Sequence, residues 1–213
     1  MCNFKSGIIL KNRCVIAQGS DDSHTNLLDE LHIEDTTQNA MTKFVRAELF
    51  PPNDEWWTDP ETWSFRVDQD IVPEWYETDK AKYEKEFRNT VKEWWTEHVL
   101  VDKKIDELSS GYYLLKRCEV EKLLKDVQVV LDNSSVQVMH GNSSVQEMYD
   151  SSSVQEMYDN SSVYEMHDNS LIKEMWNKSS VHEMYDNSIA RDCENGIIHI
   201  SSKLNLKPVI HEN

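Results

Sequence analysis

The chain has few of the residues that define a disulfide scaffold, a collagen-like fibre or a membrane span. Its 213 residues include four Cys, five Gly and five Pro, and no apolar run approaches the roughly 18 residues that a transmembrane helix needs. The four Cys residues lack the close Cys-x-x-Cys spacing of a zinc site or redox pair. Because the N-terminal segment also lacks the apolar core of a secretory signal, we expect free thiols in a soluble, cytoplasmic protein.

Positive charge is scarce as well. The net charge is -17, from 22 basic and 39 acidic side chains. Such a surface repels phosphate backbones and anionic lipid, which argues against direct binding of nucleic acid or membrane. The same charge attracts a protein partner with a basic surface, although acidity can also serve solubility alone.

The C-terminal half contains a nine-residue repeat of the form NSSVQEMYD, with units that start at residues 124 (degenerate), 133, 142, 151, 160, 169, 178 and 187. Position 4 is mostly Val and position 7 mostly Met. Nine residues at about 100° each would place successive Val/Met pairs on opposite sides of a helix, so a helix cannot use this pattern. Each unit therefore predicts one short strand with Val and Met inward, followed by an Asp-Asn corner. We expect two units per coil, about 18 residues, and about four coils of a β-solenoid.

Alternate units of such a solenoid align, so side chains at one repeat position form columns. Position 6 predicts acidic columns, and position 8 predicts aromatic columns that also include His140 and His167. We regard both as candidate partner-binding surfaces. The residues are Glu147, Glu156, Glu165, Glu174, Glu183, Tyr149, Tyr158, Trp176 and Tyr185. Because the stack is short and its ends are open, we also expect a homodimer through coil edges or the aromatic columns.

The predicted fold class is an α+β N-terminal domain followed by a short β-solenoid. We place the head domain at residues 1–120, the solenoid at 121–195 and C-terminal capping strands at 196–213. In the head, residues 7–17 predict a β-hairpin, 43–50 a strand and 79–99 a helix. Trp56, Trp57 and Trp75 lie among acidic residues, which suits either exposed recognition of a basic partner or a Trp-rich core.

Three segments of the head contain residue types used in catalysis. Cys2 would become an N-terminal nucleophile if Met1 were removed. Ser23 and His24 follow Asp21 and Asp22, but neighbours in sequence rarely form a triad, and this run is typical of a helix cap.

Asp68-Gln69-Asp70 could ligate a cation together with Glu48 if the strands are adjacent, although such carboxylates are more often solvated. No Gly-rich phosphate loop, HExxH or GxSxG motif is present. The sequence therefore predicts no cofactor, no metal site and no assigned catalytic residue.

Several segments of the chain resemble an uncharacterised protein family of bacteriophages and gut bacteria. The resemblance rests on FKSGIILKNRCVIA, DSHTNLLDELHIED, FRVDQDIVPEWY, EFRNTVKEWWTEHV and the MYDNSSV-type repeats, and it covers nearly the whole chain. It implies a phage or prophage accessory protein that acts inside a bacterial cell, and it implies no catalytic residues.

These observations favour a non-enzymatic interaction protein that binds a host or phage protein through an acidic surface. A specific version is a DNA mimic that occupies the basic groove of a DNA-binding or defence protein. One alternative is a small-ligand binder or enzyme in the head, with the solenoid as scaffold. Another is a structural component of the virion.

Overall fold

The computed structural model describes residues 5–19 and 22–201. The chain forms two compact units, Met1–Val99 and Leu100–Asn213. The two units meet between Val99 and Leu100, before the predicted boundary at residue 120, and the first strand of the solenoid sheets begins at Val99. The first coils of the solenoid lack the nine-residue repeat, so the sequence pattern did not reveal them.

The N-terminal unit is built on a four-stranded antiparallel sheet in the order β2-β1-β3-β4. The strands are β1 (Lys5–Leu10), β2 (Arg13–Ile16), β3 (Phe44–Phe50) and β4 (Ser64–Val67). The helices are α1 (His24–Glu30), α2 (Thr37–Ala40), α3 (Glu74–Thr78) and α4 (Lys80–His98), with 3-10 turns at Pro52–Asp54 and Pro60–Thr62. The predicted hairpin, strand and long helix are confirmed.

Successive residues of a strand point to opposite faces of the sheet. Helices cover both of these faces. On one face Ile8 packs in a cluster with Leu27 and Leu28 of α1. On the other face α4 approaches so closely that a Cβ added to Gly7 would lie 2.5 Å from Cε2 of Phe87. Glycine is therefore required where α4 crosses β1.

The C-terminal unit is a β-solenoid with two strands per coil, one in each of two sheets. The six-stranded sheet contains β5 (Val99–Val101), β7 (Tyr112–Lys116), β9 (Gln128–Asp132), β11 (Ser144–Tyr149), β13 (Ser162–Met166) and β15 (Ser180–Met184). The seven-stranded sheet contains β6 (Lys104–Leu108), β8 (Glu119–Leu123), β10 (Ser135–Met139), β12 (Ser153–Met157), β14 (Leu171–Met175), β16 (Ile189–Asp192) and β17 (Ile197–Ile200). The pairs from β6 to β16 and from β7 to β15 are parallel, and β16 pairs antiparallel with β17.

The register confirms two repeat units per coil. Val136 pairs with Val154 and Val145 with Val163, an offset of one 18-residue coil. The coils before Asn133, which we call the early coils, are shorter than 18 residues, because Tyr112 pairs with Gln128. With the early coils included, the solenoid has about six turns rather than four.

Valine and methionine fill the space between the two sheets, as predicted. Val136, Met139, Val145, Met148 and Val154 are fully buried in one continuous cluster. At about 2–3 kcal/mol for each large buried apolar side chain, this core is the main stabilising term of the solenoid.

The corners of the coils adopt the left-handed backbone that Asp and Asn tolerate. Asp150, Asp159, Asp168 and Asp186 have φ values of 54–59°. Their carboxylates bond between coils: the amide of Asp150 donates to Oδ2 of Asp168 at 3.0 Å, and the amide of Asp168 donates to Oδ2 of Asp186 at 3.2 Å.

The predicted capping segment at 196–213 falls only partly within the described residues. Strand β17 pairs antiparallel with β16 and extends the seven-stranded sheet by one strand. Its residues Ile197, Ile198 and Ile200 are exposed. The remainder of the segment, from residue 202, lies outside the described part of the chain. None of the described helices has the length and apolar content needed to cross a bilayer.

Candidate functional site

The predicted acidic columns form on both sheets of the solenoid. Glu147, Glu165 and Glu183 pair in register on the six-stranded sheet, and Glu156 pairs with Glu174 on the other. Neighbouring strands lie about 4.8 Å apart, so like charges adjoin within each column.

A hydrogen bond links each of these five carboxylates to the aromatic residue two positions later. Tyr158 donates its hydroxyl to Glu156 at 2.7 Å, and Trp176 Nε1 donates to Glu174 at 3.3 Å. Nε2 of His167 lies 3.1 Å from Oε2 of Glu165. Tyr149 bonds to Glu147, and Tyr185 bonds to Glu183. The acidic and aromatic columns therefore form one composite surface, which we call the Glu–aromatic ladder.

The rings of the ladder stack on one another. Tyr149 and Tyr185 lie on either side of His167, each with a centroid distance of 4.9 Å and nearly parallel planes. On the other sheet His140 stacks on Tyr158 at 5.1 Å. Because the ring faces cover each other, the ladder presents ring edges and carboxylates outward.

The hydrogen bonds keep the phenols protonated. The bond to Glu156 raises the pKa of Tyr158, and the bond to Glu183 raises the pKa of Tyr185. Tyr158 and Tyr185 thus remain donors to their carboxylates at neutral pH.

The tryptophans of the head lie mainly in its core. Trp56 is buried, its backbone carbonyl accepts a hydrogen bond from Nε1 of Trp95 at 3.0 Å, and its ring contacts Trp57 edge-on. Trp75 packs against Tyr83 and donates Nε1 to the carbonyl of Thr42 at 2.9 Å. Of the two alternatives, Trp56 follows the Trp-rich core, since its side chain is buried.

Ser23 and His24, the weak catalytic candidates within the described residues, have structural partners. Ser23 is the N-cap of α1 and accepts a hydrogen bond from the amide of Asn26. Asp22 pairs with Lys5 at 3.3 Å rather than with His24. Cys2 and Asp21 lie outside the described residues. Burial raises the pKa of the Cys14 thiol to about 12 and also raises that of Cys118, so both thiols remain protonated.

Three other side chains of the head converge. Strands β3 and β4 are adjacent, and ligand atoms of His24, Glu48 and Asp68 all lie within 4.8 Å of one another. Asp70 is not part of the cluster, and Gln69 instead accepts from the amide of Arg46 and donates to the carbonyl of Ile71.

Three comparisons with known proteins found no match for the chain. No family model matches it, and neither a curated protein nor a solved structure is significantly similar to it. The ladder and the His24 cluster must therefore be interpreted from their own geometry.

A groove of about 500 Å³ lies on the outer side of the early coils. Lys104, Glu119 and Lys122 line it together with apolar atoms. The mixed charges select no single class of ligand. Sequence reasoning missed this groove, because most of its lining residues come from strands that precede the repeat.

Proposed function

We propose that the chain is a non-enzymatic interaction protein whose solenoid binds a basic protein surface. The observation that carries this proposal is the in-register alignment of carboxylates. Residues 133–172 contain six Asp or Glu and no Lys or Arg. Parallel strands repeat these charges along one direction, so their fields add rather than cancel.

The density of charge supports the specific version, mimicry of duplex DNA. Residues 142–177 form two coils and carry seven acidic side chains and one Lys, a net charge of -6. Two coils rise by about 9.6 Å, which gives one charge per about 1.6 Å of axis. Duplex DNA carries one charge per about 1.7 Å. The linear charge density of these coils is therefore comparable to that of duplex DNA, so a protein surface that neutralises DNA phosphates could bind them.

Affinity capture with matched variants tests the proposal. The full chain is used to retain proteins from bacterial lysate at low and high salt, with duplex DNA as competitor. We expect a basic partner that is retained at low salt and released by salt and by DNA. Replacement of Glu147, Glu165 and Glu183 by Gln should weaken retention, because Gln keeps the acceptor for the ring but removes the charge.

The matched control removes the same charge elsewhere. Glu30→Gln, Glu74→Gln and Glu93→Gln alter three exposed carboxylates of the N-terminal unit. Retention should stay unchanged in this control. If no basic protein is retained at low salt, or if both triple variants lose it equally, the proposal is wrong.

The biological setting is also a proposal. The family resemblance supports a phage or prophage accessory protein with an anti-defence role in the bacterial cytoplasm. Detection of the protein in purified particles would instead favour a structural virion component. We further propose a homodimer through coil edges, since β15 ends the six-stranded sheet. A monomer mass in light scattering would contradict that proposal.

A further inference from the structure

The N-terminal unit contains a cluster of three potential metal ligands, His24, Glu48 and Asp68. The three residues come from separate segments: the first turn of α1, the centre of β3 and the residue after β4. The fold brings these segments together, so that ligand atoms of the three residues lie within 4.8 Å of one another. One imidazole and two carboxylates form a donor set suited to divalent transition metals.

The hydrogen bonding of His24 leaves its second nitrogen as an acceptor. Nε2 lies 3.3 Å from the carbonyl oxygen of Ala47. A carbonyl oxygen only accepts, so Nε2 must carry the hydrogen in this contact. In a neutral imidazole Nδ1 then has a lone pair and no hydrogen. Metal-binding histidines are commonly held in this way, with the distal nitrogen bonded to a backbone carbonyl.

This lone pair faces a second acceptor. Nδ1 of His24 lies 3.6 Å from Oδ2 of Asp68. That distance is too long for a direct hydrogen bond. It is close to the edge of a tetrahedron around a zinc ion, about 3.4 Å for metal–ligand bonds of about 2.1 Å. A cation between Nδ1 of His24 and Oδ2 of Asp68 would be coordinated by both atoms.

Glu48 supplies the third ligand from a buried position. Its side chain is 6% exposed, and Arg66 holds it through two hydrogen bonds that both end on Oε2, at 3.0 and 2.6 Å. The other carboxylate oxygen can ligate while Oε2 stays with Arg66. The paired guanidinium orients the carboxylate in the same manner as the outer partners of known metal ligands.

The surrounding charges favour a cation. Arg46 projects from the same face of β3 as Glu48, but it is ion-paired with Asp35. Arg66 is the one guanidinium in contact with the ligands among the described residues, so Glu48 and Asp68 together keep a net charge near -1. Gln69 fixes the segment after β4 by bonding to the backbone of β3 and its own loop. These hydrogen bonds of Gln69 hold the loop that carries Asp68 in place.

We propose that His24, Glu48 and Asp68 bind one divalent transition-metal ion, of the Zn²⁺ or Mn²⁺ type. The imidazole nitrogen disfavours Ca²⁺ and Mg²⁺, which prefer oxygen ligands. Three protein ligands leave at least one coordination position for water. The proposal departs from the sequence-based expectation of no metal site, and it is independent of the proposed function of the solenoid.

The test is metal titration of the full, tag-free chain after treatment with chelator. Isothermal titration with Zn²⁺ and Mn²⁺ should give one ion per chain, and the ion should raise the Tm of the wild type. His24→Gln keeps an amide donor for the Ala47 carbonyl but removes the ligand nitrogen. We expect His24→Gln and Asp68→Asn to weaken Kd at least tenfold, with circular dichroism unchanged.

Two controls locate the ion. Asp70→Asn alters a neighbouring exposed carboxylate outside the cluster and should change Kd less than twofold. The double variant His140→Ala/His167→Ala removes imidazoles beside carboxylates of the solenoid and should leave Kd equally unchanged. The proposal is overturned if His24→Gln binds Zn²⁺ as tightly as the wild type. It is also overturned if the solenoid double variant alone abolishes binding, or if the wild type binds no ion. In each of these cases His24 and Asp68 form only an ion pair.

Discussion

The early coils and the repeat coils of the solenoid fill one structural position with different chemistry. Lys116 of β7 pairs with Asp132 of β9, which in turn pairs with Tyr149 of β11. From Tyr149 onward this column continues as stacked rings through His167 to Tyr185. The same column is thus a buried ion pair in the early coils and an aromatic stack in the repeat coils.

The solenoid architecture therefore does not require a repeated sequence. In the early coils one salt bridge, with Nζ of Lys116 at 2.6 Å from Oδ1 of Asp132, occupies a site where both side chains are about 90% buried. Burial raises the pKa of Asp132, the nearby Asp150 adds to the effect, and Lys116 opposes it. The stability of the early coils depends on both partners of this pair. The stability of each repeat coil depends on contacts that recur in the neighbouring coils.

The largest effect is expected when the ion pair is broken. Lys116→Met leaves the Asp132 carboxylate buried without its cation, and loss of one partner of a buried pair costs about 4 kcal/mol. Urea denaturation should show this loss in the free energy of unfolding.

A double variant sharpens the comparison. Lys116→Met with Asp132→Leu replaces the pair by apolar side chains, as in the core of the repeat coils. We expect most of the stability to return, because an apolar replacement of both partners is often neutral or stabilising. If the double variant is as unstable as Lys116→Met, the ion pair has a role beyond its own charges.

The second effect concerns the core of the repeat coils. Met157 is fully buried between the sheets, and Met157→Ala should cost about 3 kcal/mol through lost burial and the cavity. Gln155→Ala, in the same strand but outside the core, should change stability by less than about 0.5 kcal/mol. Equal losses in the two variants would show that Met157 does not carry the core.

The sequence predicted the repeat coils because their chemistry is periodic. Val136, Met139 and Glu147 recur at fixed positions, so inward columns, acidic columns and the 18-residue coil followed from counting. The early coils escaped because Lys116 precedes the repeat and Asp132 lies in its degenerate first unit, and only three-dimensional register shows that they are partners. The hydrogen bond from Tyr158 to Glu156 was also missed, although its two-residue spacing recurs in five units and was available as a signal.

The cluster in the head was only half visible in the sequence. Glu48 and Asp68 were considered together on the condition that their strands are adjacent, and the structure meets that condition. His24 was instead considered with Ser23, its neighbour in sequence. No periodicity connects His24 to residues 24 and 44 positions later, because the contact depends on how α1 packs on the sheet.

A smaller effect is expected at the corners, where Asp168 of the repeat coils and Arg117 of the early coils share the left-handed backbone. Asp168 has a φ of 55° and accepts the amide of Asp150 through Oδ2. Asp168→Ala loses the acceptor and strains the backbone, at about 1.5 kcal/mol. Asp168→Gly loses only the acceptor, and Asp168→Asn keeps both features. Urea midpoints should therefore fall in the order Asn, Gly, Ala, and a different order would show that the left-handed backbone is not the cause.

The smallest effect tests whether the aromatic stack stabilises the repeat coils at all. His167 lies between Tyr149 and Tyr185 and accounts for both ring contacts in this column. His167→Ala removes both and should cost about 1 kcal/mol, since the rings are partly exposed and each contact contributes at the low end of its range. His167→Tyr makes the column uniform, retains a donor for Glu165 and should stay within about 0.5 kcal/mol of the wild type. If Ala and Tyr are equivalent in urea denaturation, the stacked rings add no stability and only the Val/Met core distinguishes these coils from the early ones.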